Sequence, residues 1–339
     1  MNTMIDLQRK IVPEIFPILE KRYNILKNID ALGPIGRRNL AIKLSMGERI
    51  VRAEVDLLKE LGLVEINAVG MKITEEGKEL LQDLTEVMYS IDGMDRIEEE
   101  LQRKLQIKKV IIVPGNVEED GILKNIGKAT AKLIESSITE NTKIGITGGN
   151  TMAAVAEELT QHTKKQNITV YPARGGLGKQ VEIQANTIAA KMASKLNGNY
   201  ELLHASDTLS SQTMEILLKD KEIKEVIENI KSVDLLIFGI GRADTMANRR
   251  EFSKEIIEKL EESKAVSEAF GYYFNQHGDI VYETNSMGIK LEDFHKIKEV
   301  IGVAGGKDKA EAIGAICSLR KSMILVIDEA AAKELLQLN

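Results

Sequence analysis

Apolar positions at mixed three- and four-residue spacing, Ile5, Ile11, Val12, Ile15, Ile18 and Leu19, predict a leading helix over 4–29. Pro13 and Pro17 bend or interrupt it, because each removes a backbone donor. Leu32-Gly33-Pro34 breaks the pattern. A short helix is expected over about 35–44, stopping before Ser45-Met46-Gly47. The next starts near Glu48 and carries Ile50, Val51, Val55, Leu57, Leu58 and Leu61 until Gly62 ends it. Apolar stretches at 63–66 and 69–73, parted by Asn67-Ala68, predict a small hairpin. Thr74 is the expected N-cap of a further helix that buries Leu80, Leu81, Leu84, Val87 and Met88.

Beyond Lys108 the period changes. Strands are predicted at 109–114, 143–147, 168–172, 201–204, 233–239, 279–283, 300–303 and 323–327. Helices fall between them at 122–136, 150–160, 181–196, 211–218, 222–230, 251–262 and 307–319, with a last one at 329–336. This alternation predicts an α/β domain with a mostly parallel, Rossmann-like sheet covered on both faces. The expected organisation is a winged helix-turn-helix domain with a leading helix over 1–89, a linker over 90–107 and the α/β domain over 108–339.

Composition narrows the function classes. The 339 residues are 43% hydrophobic and 29% charged, enough for sizeable cores and unlike a disordered chain. No apolar run approaches the roughly 20 residues a bilayer span needs, and no apolar secretory segment follows Met1, so a soluble cytoplasmic protein is expected. One cysteine, Cys317, and four histidines exclude an internal disulfide and a cysteine-rich zinc cluster, and no metal is expected. The net charge of −6 is uneven: residues 1–75 carry 12 Lys/Arg against 10 Asp/Glu, so the negative charge resides in the remainder. A polyanion is therefore expected to meet the first segment.

In a winged helix-turn-helix, the helix after Ser45-Met46-Gly47 lies in the major groove. Arg49 and Arg52, three apart, share one of its faces, while Val51, Val55 and Leu58 turn inward. Arg37, Arg38 and Lys43 on the preceding helix suit phosphate contacts, and Lys72 suits a wing contact. The same charges would also serve a solvated surface on a protein-binding or dimerisation module.

In the α/β domain, Ile146-Thr147-Gly148-Gly149-Asn150-Thr151 runs from a strand directly into a helix. It reads either as a tight strand-to-helix turn or as an anion cradle made of close backbone and free N–H groups. It lacks a P-loop lysine and the GxGxxG spacing of dinucleotide folds, and no cofactor is expected. Three more strand ends carry glycine with cations: Arg174-Gly175-Gly176, Gly239-Ile240-Gly241-Arg242 trailed by Arg249-Arg250, and Gly305-Gly306-Lys307-Asp308-Lys309. Such loops converge at the carboxyl ends of an open α/β sheet, and their cations imply phosphate. An isomerase or deaminase acting on a phosphosugar would use the same cradle. It would need a general base, for which Asp207, Asp244, Glu268 and Asp308 are the nearby carboxylates. No histidine sits in a glycine loop and no paired-carboxylate spacing is evident, so no catalytic residue is assigned.

A DNA-binding domain followed by an α/β domain with these three glycine motifs resembles the sugar-responsive bacterial regulators of the sorbitol-operon (SorC) family, over nearly the whole chain. The extra leading helix and the wing favour a glycolytic subgroup. The resemblance implies an effector domain similar to phosphosugar isomerases and deaminases but acting as a sensor. It also implies a homodimer or homotetramer on double-stranded operator DNA, and repression of a glycolytic operon relieved by fructose 1,6-bisphosphate. Carried over, it puts one phosphate on Gly148, Gly149, Asn150 and Thr151 with Arg174, and the other on Arg250 and Lys309. Glu268 and Gln184 are then the candidates for sugar hydroxyls.

Overall fold

The computed structural model describes residues 4–161, 167–207 and 209–338, with side chains from Leu7 onward. It divides into two compact units, Met1–Asp95 and Arg96–Asn339.

In the first unit the leading segment is two helices, α1 (Met4–Ile11) and α2 (Ile15–Leu32). The break falls at Pro13, whereas Pro17 sits in the first turn of α2, where its missing N–H has no intrahelical partner to lose. Next come α3 (Arg37–Lys43) and α4 (Glu48–Glu60), joined by a tight turn in which Ser45 has φ +53°. Antiparallel strands β1 (Val64–Ile66) and β2 (Met71–Ile73) form the wing, and Ile35 adds a bridge to Met71. Ile25, Leu26, Leu40, Val51, Val55, Leu58 and Met71 close a common core. Helix α5 (Glu75–Ile91) is capped by Thr74, whose Oγ1 accepts from the Gly77 N–H at 3.0 Å.

The stretch 90–107, expected as a linker, contains α6 (Met94–Leu105). Leu101 and Ile107 are buried, and Glu98 Oε1 accepts from the Ile112 N–H at 2.8 Å, so α6 docks on the first strand of the second unit.

That unit holds β3 (Lys109–Val113), α7 (Ile122–Ser137), β4 (Lys143–Ile146), α8 (Asn150–Glu158), β5 (Thr169–Pro172), α9 (Ala185–Lys195) and β6 (Asn199–Tyr200). There follow α10 (Ser211–Leu217), α11 (Lys221–Lys231), β7 (Leu235–Gly239), β8 (Gly241–Arg242), α12 (Ala243–Arg249) and α13 (Lys254–Glu262). The last third contains β9 (Ala265–Ala269), β10 (Tyr272–Asn275), β11 (Ile280–Glu283), α14 (Leu291–Lys296), β12 (Glu299–Val303), α15 (Ala310–Ser318), β13 (Ile324–Asp328) and α16 (Glu329–Gln337). Seven strands pair in parallel in the order β3-β13-β12-β7-β4-β5-β6. Ile144, Ile146, Val170, Ile237, Ile301 and Val303 pack against α7, α8 and α9.

Two strand expectations change. Residues 201–204 are not a strand, because the backbone of Leu203 pairs with the Asn186 side chain, N–H and C=O each at 3.1 Å. The strand predicted at 279–283 is β11, which belongs to a separate antiparallel sheet, β11-β10-β9-β8. Strands β9 and β10 turn through Phe270 (φ +56°) and Gly271 (φ +85°), the paired positive φ of a two-residue hairpin.

Candidate functional site

Strands β4 and β7 are neighbours, but the chain leaves β4 toward β5 on one side and β7 toward β12 on the other. Their carboxyl ends therefore flank a topological switch point, where open α/β sheets form crevices. Thr147 locks these ends together: its N–H donates to Ile237 O at 3.2 Å and its Oγ1 accepts from the Gly239 N–H at 3.1 Å. A cleft of about 330 Å³ opens above them, within the range of small-ligand sites.

The turn into α8 forms one wall. A Cβ on Gly148 would lie 2.7 Å from Ile183 O. Gly149 has φ +118° and ψ 163°, a region open to glycine alone, and its N–H donates to Ile183 O at 2.9 Å. The Gly149 N–H is thus engaged, and the N–H groups of Asn150, Thr151 and Met152 are left as first-turn donors without intrahelical acceptors. All of these residues line the cleft.

The floor is ionic. Arg174 Nη2 meets both carboxylate oxygens of Asp207 at 2.6 and 2.8 Å, and its Nη1 meets Glu268 Oε1 at 2.6 Å. Arg250 reaches the same two carboxylates at 3.0 Å each and donates to the Tyr273 hydroxyl at 3.0 Å. The Gly271 N–H, presented by the β9–β10 turn, gives Glu268 Oε1 a further donor at 2.7 Å. Burial works against both carboxylates. For Glu268 the two guanidinium groups and the Gly271 N–H outweigh it and hold the group below the ordinary carboxylate range. For Asp207 burial prevails, helped by repulsion from Glu268, and the group is raised despite Arg174 and Arg250.

Gly148, Gly149, Asn150, Thr151, Arg174, Glu268, Gln184 and Lys309 all line this cleft, and several of them are also bonded to neighbouring protein groups. Arg250 does not line it: its side chain is 0% exposed, tied to Asp207, Glu268 and Tyr273. Arg249 lines it instead. The physical reason is helical phase, since Ala243 and Ala247 of α12 are buried and Arg250 follows on the same inward face. Gln184 spends its amide on its own loop. Its Oε1 accepts from the Leu177 N–H at 2.9 Å and its Nε2 donates to the carbonyls of Leu177, Gly178 and Gln180. Arg174 and Glu268 are bonded to each other.

Arg242 is also paired, in a fork on Asp244 (3.0 and 2.6 Å) and with Asp308 at 3.0 Å. Among the described residues, Arg249 and Lys309 are the cleft cations without an ion pair. Lys309 opens α15 after Gly306, whose N–H is held by both oxygens of the buried Asp328 at 3.0 Å. Burial depresses the Lys309 pKa, with Asp308 and Asp328 opposing. Among the described residues no group of three or more His, Cys, Asp or Glu could hold a metal ion, and no helix is long and apolar enough to cross a membrane. Cys317 is buried.

In the first unit Arg38, Lys43, Arg49, Arg52 and Lys72 are exposed. Arg49 and Arg52 lie outward from the buried Val51, Val55 and Leu58 of α4. Arg37 differs, because its Nη2 pairs with Asp56 Oδ1 of α4 at 2.7 Å. It braces the two helices against each other.

Comparison with known proteins adds three findings. Residues 18–88 match the family described as "CggR N-terminal DNA binding domain", and residues 89–337 the family described as "Putative sugar-binding domain". The chain is 42% identical over 339 residues to the central glycolytic genes regulator of Priestia megaterium, and 41% identical over 338 residues to that of Bacillus subtilis, covering 99% of both chains in each case. Among solved structures it is similar to a SorC-family transcriptional regulator from Enterococcus faecalis, with TM-score 0.67 and 37% identity, covering 71% of this chain and 99% of that one. It also shares a fold with the full-length sorbitol operon regulator SorC from Klebsiella pneumoniae, with TM-score 0.66, 18% identity and coverage of 94% and 98%.

Proposed function

The chain belongs to the family of the central glycolytic genes regulators, and from that membership we propose that it represses a glycolytic operon and is released from operator DNA by fructose 1,6-bisphosphate. The first unit binds the operator through α4, with Arg49 and Arg52 toward base edges and Arg38, Lys43 and Lys72 toward phosphates. A homodimer or homotetramer supplies paired reading helices to half-sites about 34–36 Å apart or multiples of that spacing. The effector lies in the α/β cleft.

The observation that carries this reading is the pairing state of the cleft cations. The α8 N-terminus offers one anion position, and the unpaired Arg249, at the end of α12, and Lys309, in the turn before α15, offer a second. A ligand with two phosphates engages both, and a monophosphate engages one. Arg249 replaces Arg250 in the second position, for which the expected residue is buried. Effector binding favours one arrangement of these loops, and a preference of about ten-thousandfold would invert a 1:99 population. The turn at Asp92-Gly93 is where the chain passes from the operator-reading unit toward α6.

The test is binding of the full chain to upstream DNA of a glycolytic operon against scrambled DNA at fixed salt, with fructose 1,6-bisphosphate titrated in. Specific binding that the bisphosphate weakens supports the proposal. Specific binding indifferent to it removes the effector assignment, and equal affinity for scrambled DNA removes the operator assignment.

A further inference from the structure

We propose that Asp207 is a resident anion that competes with the effector for Arg174, so that a single phosphate is not held at that guanidinium and the effector must displace a carboxylate to reach it. This rests on the reading of the cleft as an anionic-effector site.

Arg174 is the guanidinium of the cleft floor, with 10% of its side chain exposed. Its Nη2 is taken up by both oxygens of Asp207, so a phosphate oxygen can meet that nitrogen only by displacing them. Its Nε is buried without an acceptor, so Asp207 occupies the site without satisfying it. Asp207 is not fixed by a helix or a strand. It lies between β6 and α10, where its N–H donates to Gly176 O at 2.8 Å and the Gly176 N–H donates to Ala205 O at 2.9 Å. The helix that follows, α10, has no buried residue. The carboxylate is therefore carried on a connecting segment tied to the Gly175-Gly176 turn, and not on a helix or a strand. Arg250, buried behind it, offers Asp207 an alternative partner, so release from Arg174 does not strand a charge in the protein.

An anion arriving at Arg174 then gains a guanidinium only by giving up the repulsion and the bond of Asp207. One phosphate does not meet that cost. A second phosphate on the same ligand, held elsewhere in the cleft, does, which makes the floor selective for a bisphosphate over inorganic phosphate.

The test is calorimetric binding of inorganic phosphate and of fructose 1,6-bisphosphate to the full chain and to Asp207→Asn, at fixed salt. The expected result is that Asp207→Asn acquires measurable phosphate affinity, roughly tenfold or more above wild type, one lost carboxylate contact being of that size. Unchanged or weaker phosphate binding in a folded Asp207→Asn would mean that Asp207 merely positions Arg174, and overturns the proposal. If that variant does not fold, Asp207→Asn combined with Arg250→Met restores the charge balance and is read in the same way. Hydrogen exchange on wild type gives a second readout: bisphosphate should speed exchange of the Asp207 amide, and slower exchange there overturns displacement. A wild-type chain that ignores bisphosphate while Asp207→Asn gains phosphate would sink the effector assignment and leave the competitor intact.

Discussion

Arg249 and Arg250 are adjacent in sequence and lie in different environments: Arg249 lines the cleft, while Arg250 is sealed beneath it against Asp207 and Glu268. The two substitutions should therefore separate. Arg249→Ala is expected to weaken bisphosphate binding roughly 10- to 100-fold with the melting temperature unchanged, the loss of one charge-assisted contact. Arg250→Ala is expected to cost about 3–5 kcal/mol of stability, because it leaves two buried carboxylates with one guanidinium fewer. Calorimetry and thermal unfolding on both variants check this, and the reverse pattern would return the phosphate to Arg250.

Lys309 is expected to make effector binding sensitive to alkali. Its folded pKa is depressed by burial, so its charge is lost at a lower pH than that of a free lysine, and anion binding falls as pH rises through that value. Binding measured from pH 8 upward, where the phosphates are already dianionic, should decline in wild type. Lys309→Arg, which stays charged, should flatten the profile if it still binds. A flat wild-type profile would remove Lys309 from the site.

Gly149→Ala tests the cradle. Nothing lies within 4 Å of a Cβ built there, so the substitution meets no clash, but φ +118° with ψ 163° strains any residue other than glycine by about 1–3 kcal/mol. The variant is expected to fold with a lowered melting temperature and to lose effector binding while keeping operator binding. Normal effector affinity would show that the turn into α8 is structural only.

On the operator side, Arg49→Ala and Arg52→Ala should each reduce specific DNA binding and leave bisphosphate binding intact. Arg38→Ala should weaken specific and scrambled DNA alike and lower the salt slope by about 1. Arg37→Ala should act mainly through stability, since Arg37 is committed to Asp56. Anisotropy titrations at several salt concentrations distinguish these outcomes.

Periodicity made most of the fold legible, including the break at Pro13, the Thr74 cap and the run of parallel strands. It missed β9 and β10 because their strongest signal is local chemistry: the two-residue Phe270-Gly271 turn, flanked by the aromatic run Tyr272-Tyr273-Phe274. The cleft was legible as glycine loops at strand ends. What stayed hidden was pairing. Nothing in the sequence ties Arg174 to Asp207 and Glu268, 33 and 94 residues away, or shows that Gln184 turns back on its own loop. One clue was available: the phase of Ala243 and Ala247 already points Arg250 inward and Arg249 out.

The cleft draws its groups from the turn after β4, the end of β5, helix α12 and the turn before α15, stretches that meet only when the whole sheet is assembled. A ligand held among them binds the native chain and not the unfolded one, so at a hundred times its dissociation constant it adds about 2.7 kcal/mol to stability. If the effector binds there as proposed, its supply would bias how often the chain opens to proteases as well as which state it adopts. The same binding event would then set both the conformation of the chain and its resistance to unfolding.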